Sequence, residues 1–346
     1  MEKDSLFGKT LAELKEVCTG LGLPGFSAKQ IAEWLYQKDI RDISDMSNIS
    51  LKNRQILKEK FNLGITSHSK VQISADGTKK YLFPTKSEKF IEAAYIPEDD
   101  RATLCVSSQI GCKMGCLFCM TGKQGFQGNL TAGEILNQVK ALPEREKLTN
   151  IVYMGMGEPL DNTDEVLKSL EIFTAEWGFG MSPKRITVST IGIIPSLEQF
   201  IEQSDCHLAI SLHTPFDEER RMLMPIQNVY PIEDVVAFVK QFDWAKQRRI
   251  SIEYIMFKGL NDSLRHVNQL ARLLNGIKCR INLIRFHPIP DTPLESTDVK
   301  DIIFFRDKLN DKGITATLRR SRGEDIYAAC GLLSTKELMK KAKPDY

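Results

Sequence analysis

No run in the 346 residues approaches the roughly 18 consecutive apolar positions that a membrane-crossing helix needs. The opening MEKDSLFGKT lacks both the basic start and the apolar stretch of a secretory signal. These absences lead to the expectation of a cytoplasmic protein with no membrane partner. An excess of one charge is missing too: 47 Lys and Arg against 45 Asp and Glu leave +2, which neither demands nor forbids a polyanionic partner. Low-complexity segments are absent, and 42% hydrophobic with 27% charged residues suffices for a full core. The length suits a large barrel with a small appendage.

Cysteine is scarce and unevenly spread: Cys18, Cys105, Cys112, Cys116, Cys119, Cys206, Cys279 and Cys330. In a cytosolic chain of this size they do not make a disulfide framework, so the crowding of three within eight residues points to metal or catalysis. Basic residues gather at Lys79-Lys80, Arg220-Arg221, Arg248-Arg249 and Arg319-Arg320 with Arg322. Such pairs can grip phosphates, or can simply be solvated helix ends and loops.

Residues 1–64 read as a small all-α unit. Thr10-Leu-Ala-Glu13 and Ser27-Ala-Lys-Gln30 fit the capping box, Gly20-Leu-Gly-Leu-Pro-Gly25 is a turn between them, and Ile31, Trp34 and Leu35 share a helical face. A third helix is expected over about 51–61, in a unit of the helix–hairpin–helix kind that leans on nucleic-acid backbones. Residues 65–98 form a hairpin and an extension: Val71 and Ile73 alternate with polar neighbours, Asp76-Gly77 turns, Tyr81 and Phe83 return, and a strand near 90–96 carries Glu92.

From 99 to 333 strands and helices alternate. Strands are expected at 103–107, 150–154, 185–190, 207–212, 250–256, 280–285 and 314–319, with helices starting near Thr131 (another capping box, with Glu134), Pro231 and Asp262. Repeated βα units imply an α/β fold built on a parallel sheet, here a partial (β/α)6 barrel, with reactive groups at the C-terminal strand ends. Residues 334–346 are left as a tail.

The stretch Gly111-Cys-Lys-Met-Gly-Cys-Leu-Phe-Cys119 has the spacing C-x3-C-x2-C. Three thiolates on one loop can ligate three irons of a [4Fe–4S] cluster, which ordinarily has four cysteines, so one iron stays open. Zinc with a fourth ligand elsewhere, or three packing thiols, are the other readings; zinc usually takes two C-x2–4-C pairs. The motif at the first strand end resembles the radical S-adenosylmethionine superfamily. In that superfamily the methionine end of the cofactor chelates the open iron, and one electron releases a 5′-deoxyadenosyl radical. Gly155-Met-Gly-Glu-Pro159 resembles its GGEP-type motif, which implies that Gly157, Glu158 and nearby backbone take the methionine ammonium. Ser189, Ser211, Leu212, His213 and His287 fall at or just beyond successive strand ends and complete the expected cofactor contacts, with Ser211 and His213 two apart on one face.

Arg101-Ala-Thr-Leu-Cys-Val-Ser-Ser-Gln109, the cluster loop, Met154-Gly-Met-Gly-Glu-Pro159, Val188-Ser-Thr-Ile-Gly192, Ser211-Leu-His213 and Asp325-Ile-Tyr-Ala-Ala-Cys-Gly331 together resemble the RlmN/Cfr family of RNA methyltransferases. Gly25-Phe-Ser-Ala-Lys-Gln-Ile-Ala-Glu-Trp-Leu-Tyr36 fits as well, so the resemblance spans nearly the whole chain. It implies two S-adenosylmethionines per turnover: one methylates Cys330, and the other supplies the radical that activates this methyl group. Glu92 then matches the acid–base residue at the adenine ring, and Cys105 attacks the Cys330 sulfur to free the product as a transient disulfide forms. The implied partners are 23S rRNA, tRNA and an electron donor such as flavodoxin, with the protein a monomer. Gly157-Glu-Pro-Leu160 and Arg320-Ser-Arg-Gly-Glu-Asp325 look like the C2-methylating RlmN type; the alternative is C8 methylation of the Cfr type. His287-Pro288 stands where the family has Asn-Pro. Cys18, Cys206 and Cys279 are read as packing residues. Outside catalysis, an iron–sulfur electron carrier and a zinc-bearing RNA-binding module remain as alternatives.

Overall fold

The computed structural model describes residues 3–244 and 250–335. Arg248-Arg249 and all but the first two residues of the 334–346 tail lie outside them. Ten strands build one sheet whose spatial order is the chain order. β1 (Lys70–Ile73), β2 (Lys79–Pro84), β3 (Phe90–Pro97) and β4 (Ala102–Cys105) pair antiparallel. From β4 onward every pair is parallel, through β5 (Asn150–Tyr153), β6 (Ile186–Thr190), β7 (His207–Ser211), β8 (Ile250–Met256), β9 (Cys279–Arg285) and β10 (Thr315–Leu318). Parallel neighbours need crossovers, and helices supply all six. They are α4 (Met120–Gln124) with α5 (Ala132–Lys140), then α6 (Thr163–Thr174), α7 (Ile194–Gln203), α8 (Asp217–Leu223) with α9 (Ile232–Val239), α10 (Leu264–Leu273) and α11 (Val299–Asp311). The expected partial α/β barrel is present, and β10 and β4 are not hydrogen-bonded, so one side stays open.

Alternation along the strands explains where the space lies. Ile151 and Tyr153, Ile252 and Tyr254, and Ile281 and Leu283 point into the helix-covered core. Their neighbours Val152, Ser251, Glu253, Arg280 and Asn282 face a cavity of about 850 Å³. Strands covered on both faces normally read as unbroken apolar runs. These alternate because the inner face lines an open chamber.

Before the sheet come α1 (Leu11–Gly20), α2 (Ser27–Ala32, continued as a π-turn to Gln37) and α3 (Leu51–Lys60). The capping boxes at Thr10 and Thr131 form. The one at Ser27 does not: Ser27 N–H already bonds Pro24 O, the helix begins a residue earlier than the motif suggests, and Phe26 is its uncapped flank. On β1, Val71 and Ile73 are exposed rather than packed, because this edge strand has no covering layer. No helix among the described residues is long and apolar enough to cross a membrane.

The helical unit is bolted to the barrel through Tyr36. Its ring lies 5.9 Å from Trp177 and 5.7 Å from Phe179, and its hydroxyl donates to Lys9 O (2.5 Å) while accepting from Gly8 N–H (3.2 Å). Removing that hydroxyl strands a buried donor and a half-buried acceptor. Tyr36→Phe is expected to lower stability by about 1–3 kcal/mol in urea unfolding followed by circular dichroism.

Candidate active site

The cluster loop leaves β4 and is shaped by backbone constraints. Gly111 has φ +70°, and a Cβ there would lie 1.7 Å from Gly125 O, so no other residue fits without moving the loop. Cys112 sulfur accepts from Met114 N–H, and Cys119 N–H donates to Cys116 O at 3.1 Å. The loop is tied outward by Leu117 N–H to Leu223 O of α8 (2.9 Å) and by Met120 N–H to Gly331 O (2.8 Å). Met114, Phe118, Met224, Phe257 and Phe286 wrap it in apolar surface. Burial pushes the Cys112 thiol up to about 12 and Cys116 well above its ordinary value, and each neighbouring thiol adds to the effect. Ionised together, these thiols need a cationic partner.

Among the described residues no three Cys, His, Asp or Glu side chains converge tightly enough to hold one metal ion. That spacing is poor for a lone zinc, which draws four ligands onto one point. A cubane places each cysteine on a different iron, and three spread thiols without a fourth suit it. The residues present fit a [4Fe–4S] cluster with one open iron.

Around the loop stand the expected cofactor residues. Gly157 has φ +99°, and a Cβ would come 2.5 Å from Gln109 Cβ. Glu158 is turned inward: Oε1 accepts from Thr190 Oγ1 (2.5 Å) and Leu160 N–H (3.1 Å), Oε2 from Ile191 N–H (3.1 Å). Desolvation pushes its pKa up to about 7. A carboxyl group so engaged fastens the loop after β5 to the end of β6. Ser189 and Ser211 are brought together, hydroxyl to hydroxyl at 3.5 Å. Leu212 and His213 follow directly, but Ser211 and His213 do not share a strand face as the spacing suggests. The Leu212 side chain is fully buried in the core, so only its backbone could serve. His213 lies past the end of β7 with φ +61°, so strand alternation does not align it with Ser211. Its Nδ1 accepts from Ile255 N–H at 3.0 Å, its ring meets the edge of Phe118, and burial lowers it to about 3, which keeps it neutral. His287 lines the cavity, with Nδ1 3.5 Å from Glu324.

The second thiol group sits across the cavity. Cys105 ends β4 on the inner face, and Cys330 arrives on the segment after β10; both line the chamber. Burial first, then Cys330, pushes the Cys105 thiol up to about 12. The Cys330 segment has little regular structure and is held by its contacts. Thr121 Oγ1 donates to Leu333 O (2.6 Å), Gln124 Oε1 accepts from Ser334 Oγ (3.0 Å) and Thr335 N–H (2.9 Å), and Ser334 N–H donates to Glu92 Oε2 (3.0 Å). Glu92 also pairs with Lys80 at 3.1 Å, both side chains being less than a tenth exposed. Desolvation raises Glu92 despite that lysine.

The comparisons with known proteins agree with this arrangement. The radical SAM superfamily model matches residues 106–274, and the model for the ribosomal RNA large subunit methyltransferase N-terminal domain matches residues 5–63. A probable dual-specificity RNA methyltransferase RlmN of Parabacteroides distasonis is 57% identical over 335 residues, 97% of this chain and 98% of that one. The chain belongs to the RlmN family. A dual-specificity RNA methyltransferase RlmN of Nitratiruptor is 44% identical, covering 94% of this chain and 96% of the other. The crystal structure of a radical SAM methyltransferase from Sphaerobacter thermophilus superposes with a TM-score of 0.89 at 39% identity, covering 95% of this chain and 99% of that one.

As an RlmN-family member the protein is a radical S-adenosylmethionine RNA methyltransferase, and the superfamily implies both the cluster and S-adenosylmethionine. These relatives lend no support to the Cfr-type alternative. Sequence reasoning missed Lys80, Gln124 and the turn residues Ser74 and Asp76, which hold the Cys330 segment through Asp325 Oδ1 (2.6 Å from Ser74 Oγ) and Gly323 N–H (3.0 Å from Asp76). Of the basic pairs that could grip phosphate or lie solvated, Lys79-Lys80 is spent on Glu144 and Glu92, and Arg220 is fully buried. Arg319, Arg320 and Arg322 do line the cavity. Lys80→Met would leave Glu92 buried and unpaired, at an expected cost of about 3–5 kcal/mol. Chemical denaturation checks it, and adding Glu92→Gln should recover more than half of the loss.

Proposed function

We propose that the enzyme methylates C2 of a specific adenosine in 23S rRNA near the peptidyl-transferase centre, and of the adenosine beside the tRNA anticodon, through an S-methylcysteine on Cys330. The observation that carries this reading is the meeting of Cys105 and Cys330 in one chamber, with Glu92 tied to the Cys330 segment by Ser334. A polar methyl transfer requires a nucleophile, and an adenine ring carbon is not one. A protein thiol is, so Cys330 first takes a methyl group from one S-adenosylmethionine.

Cys112, Cys116 and Cys119 would hold the cluster, which with a second S-adenosylmethionine supplies the 5′-deoxyadenosyl radical. Gly157, Glu158 and their neighbouring backbone, Ser189, Ser211, the backbone of Leu212, His213 and His287 are the cofactor-facing positions. Hydrogen loss from the Cys330 S-methyl group lets its carbon bond to the adenine ring. Glu92, a carboxyl whose burial favours proton uptake, receives the ring proton. Once the adduct has returned its unpaired electron to the cluster that would supply it, the Cys105 thiolate attacks the Cys330 sulfur; the carbon–sulfur electron pair leaves with the methylene carbon, which takes up a proton to become the methyl group, and a disulfide remains. Arg319 is placed to help, because Cys330 is the largest influence holding its charge and Cys105 adds to it.

The helical unit over residues 1–64 acts as the RNA-docking accessory, supported by the name of the domain model matching there. Residues 65–98 brace the barrel of 99–333. The protein works as a monomer, reduced by a small electron donor such as flavodoxin and re-reduced at its disulfide after each turnover.

Anaerobic incubation with 23S rRNA, reductant and S-adenosylmethionine should yield 2-methyladenosine by nucleoside mass spectrometry; 8-methyladenosine would refute the C2 assignment. Cys330→Ala should abolish methylation while leaving the iron and sulfide content unchanged. Cys105→Ala should instead trap a covalent protein–RNA adduct visible as a shifted band in a denaturing gel.

A further inference from the structure

The chamber that holds Cys105 and Cys330 extends away from the proposed cluster. None of Cys112, Cys116, Cys119, Gly157, Ser189 and Ser211 lines it. Its walls continue the other way, through Thr103, Asn150, Thr187 and Ser251 at the N-terminal ends of β4, β5, β6 and β8. Strand stagger brings Cys105 close to that end. Cys105 is level with Val152, Val152 with Thr187, and Thr187 with His207, the first residue of β7. On the inner face of β4 a single residue, Thr103, lies between Cys105 and the start of the strand. Cys330 borders both regions: it lines the chamber and packs against the apolar residues that wrap the cluster loop.

This end is open and cationic. Arg101, Lys184 and Arg280 line the chamber there and are themselves exposed to solvent, so the cavity has a second mouth opposite the cluster loop. Arg319 stands further in. Among the described residues the only carboxylates in the lining are Glu98, held 3.7 Å from Arg101, and Glu253, which accepts from Asn282. A cleft in which one sign of charge predominates concentrates small ions of the other. We propose that this second mouth admits a small anionic thiol, which reduces the Cys105–Cys330 disulfide from the side away from the cluster. The inference rests on the reading that turnover leaves that disulfide. The entering thiolate attacks the Cys105 sulfur, the disulfide bond breaks, and its electron pair leaves on Cys330. A second thiolate attacks the sulfur now bound to Cys105, which frees Cys105 and carries the reductant away as its own disulfide. Two thiols give up two electrons and two protons, and the two cysteines receive them. Cys330 is restored for methylation while the cofactor side stays covered.

The test uses the full-length holoenzyme, oxidised anaerobically with diamide, with the Cys105–Cys330 disulfide located by peptide mass mapping. Its reduction is timed by alkylation and mass spectrometry with mercaptoethanesulfonate, mercaptoethanol and cysteamine, which are anionic, neutral and cationic. Each rate is divided by that of the same thiol on a small neutral disulfide, which removes intrinsic reactivity. At low salt the anionic thiol is expected to exceed the cationic one about tenfold, and added salt should shrink the ratio. Lys184→Glu with Arg280→Glu should bring the ratio to one or below. Arg285→Glu with Arg320→Glu makes the same change in net charge at the C-terminal ends of β9 and β10. That pair should keep the ratio within about twofold of wild type. Equal falls in the two double variants, or a wild-type ratio near one, would overturn the second mouth and leave the disulfide standing. No Cys105–Cys330 disulfide after oxidation would overturn the reading of turnover, and this route with it.

Discussion

The active chamber depends on the docking of a segment that has almost no secondary structure of its own. Residues 323–335 follow the last parallel strand and cross the open side of the barrel. They are fixed at three places: by the β1–β2 turn through Asp76 and Ser74, by Glu92 on β3, and by the first turn of α4 behind the cluster cysteines. Ordering such a chain costs conformational entropy at every residue. Here that cost is met by directional hydrogen bonds to three separate elements, so the position of Cys330 is set by the whole rim of the barrel. The antiparallel extension β1–β3 therefore has a mechanical role. It carries Glu92 and Lys80, and its turn anchors the segment opposite.

A second constraint follows from the polarity of the barrel's inside. Glu253 is buried on β8, accepts from Asn282 Nδ2 at 2.8 Å and faces Arg319. Arg319 in turn lies under the influence of Cys330 and Cys105. An interior of this kind tolerates charge because the groups compensate one another around a chamber wide enough for a base and a cofactor. The helix-covered outer face is apolar throughout, and stability is concentrated there. Division of labour between the two faces lets reactive groups accumulate without dismantling the core.

Much of this was legible in the chain because it is written in local patterns. The β8 strand falls at the expected 250–256, and the other parallel strands lie within one or two residues of their expected limits, because turn residues and β-branched runs bound them tightly. The cluster loop was legible because three thiols in eight residues have few other uses. Cys105 and Cys330, 225 positions apart, could be linked only through a resemblance, since nothing local joins them. What failed did so for physical reasons. Ser27 has capping chemistry, but the preceding Pro24 turn starts the helix early. Ser211 and His213 have strand spacing, but the strand ends between them. Lys80 looks like a surface cation until the fold places Glu92 opposite Leu82, its strand neighbour two residues on.

Glu158, Leu212 and His213 show how the mouth of the barrel is tied to the core behind it. All three stand at strand ends, where reactive groups are expected, yet each has its main polar or apolar capacity engaged inward. Glu158 joins β5 to β6, Leu212 fills the core, and His213 receives Ile255 N–H from β8. Arg220 completes this layer by collecting the carbonyls of Ile191, Ser211 and Leu212 that the strand ends leave open. The strand ends are thus fastened to one another by side chains that reach inward. Substituting any of them should disturb the geometry of the neighbouring strand ends as well as its own position.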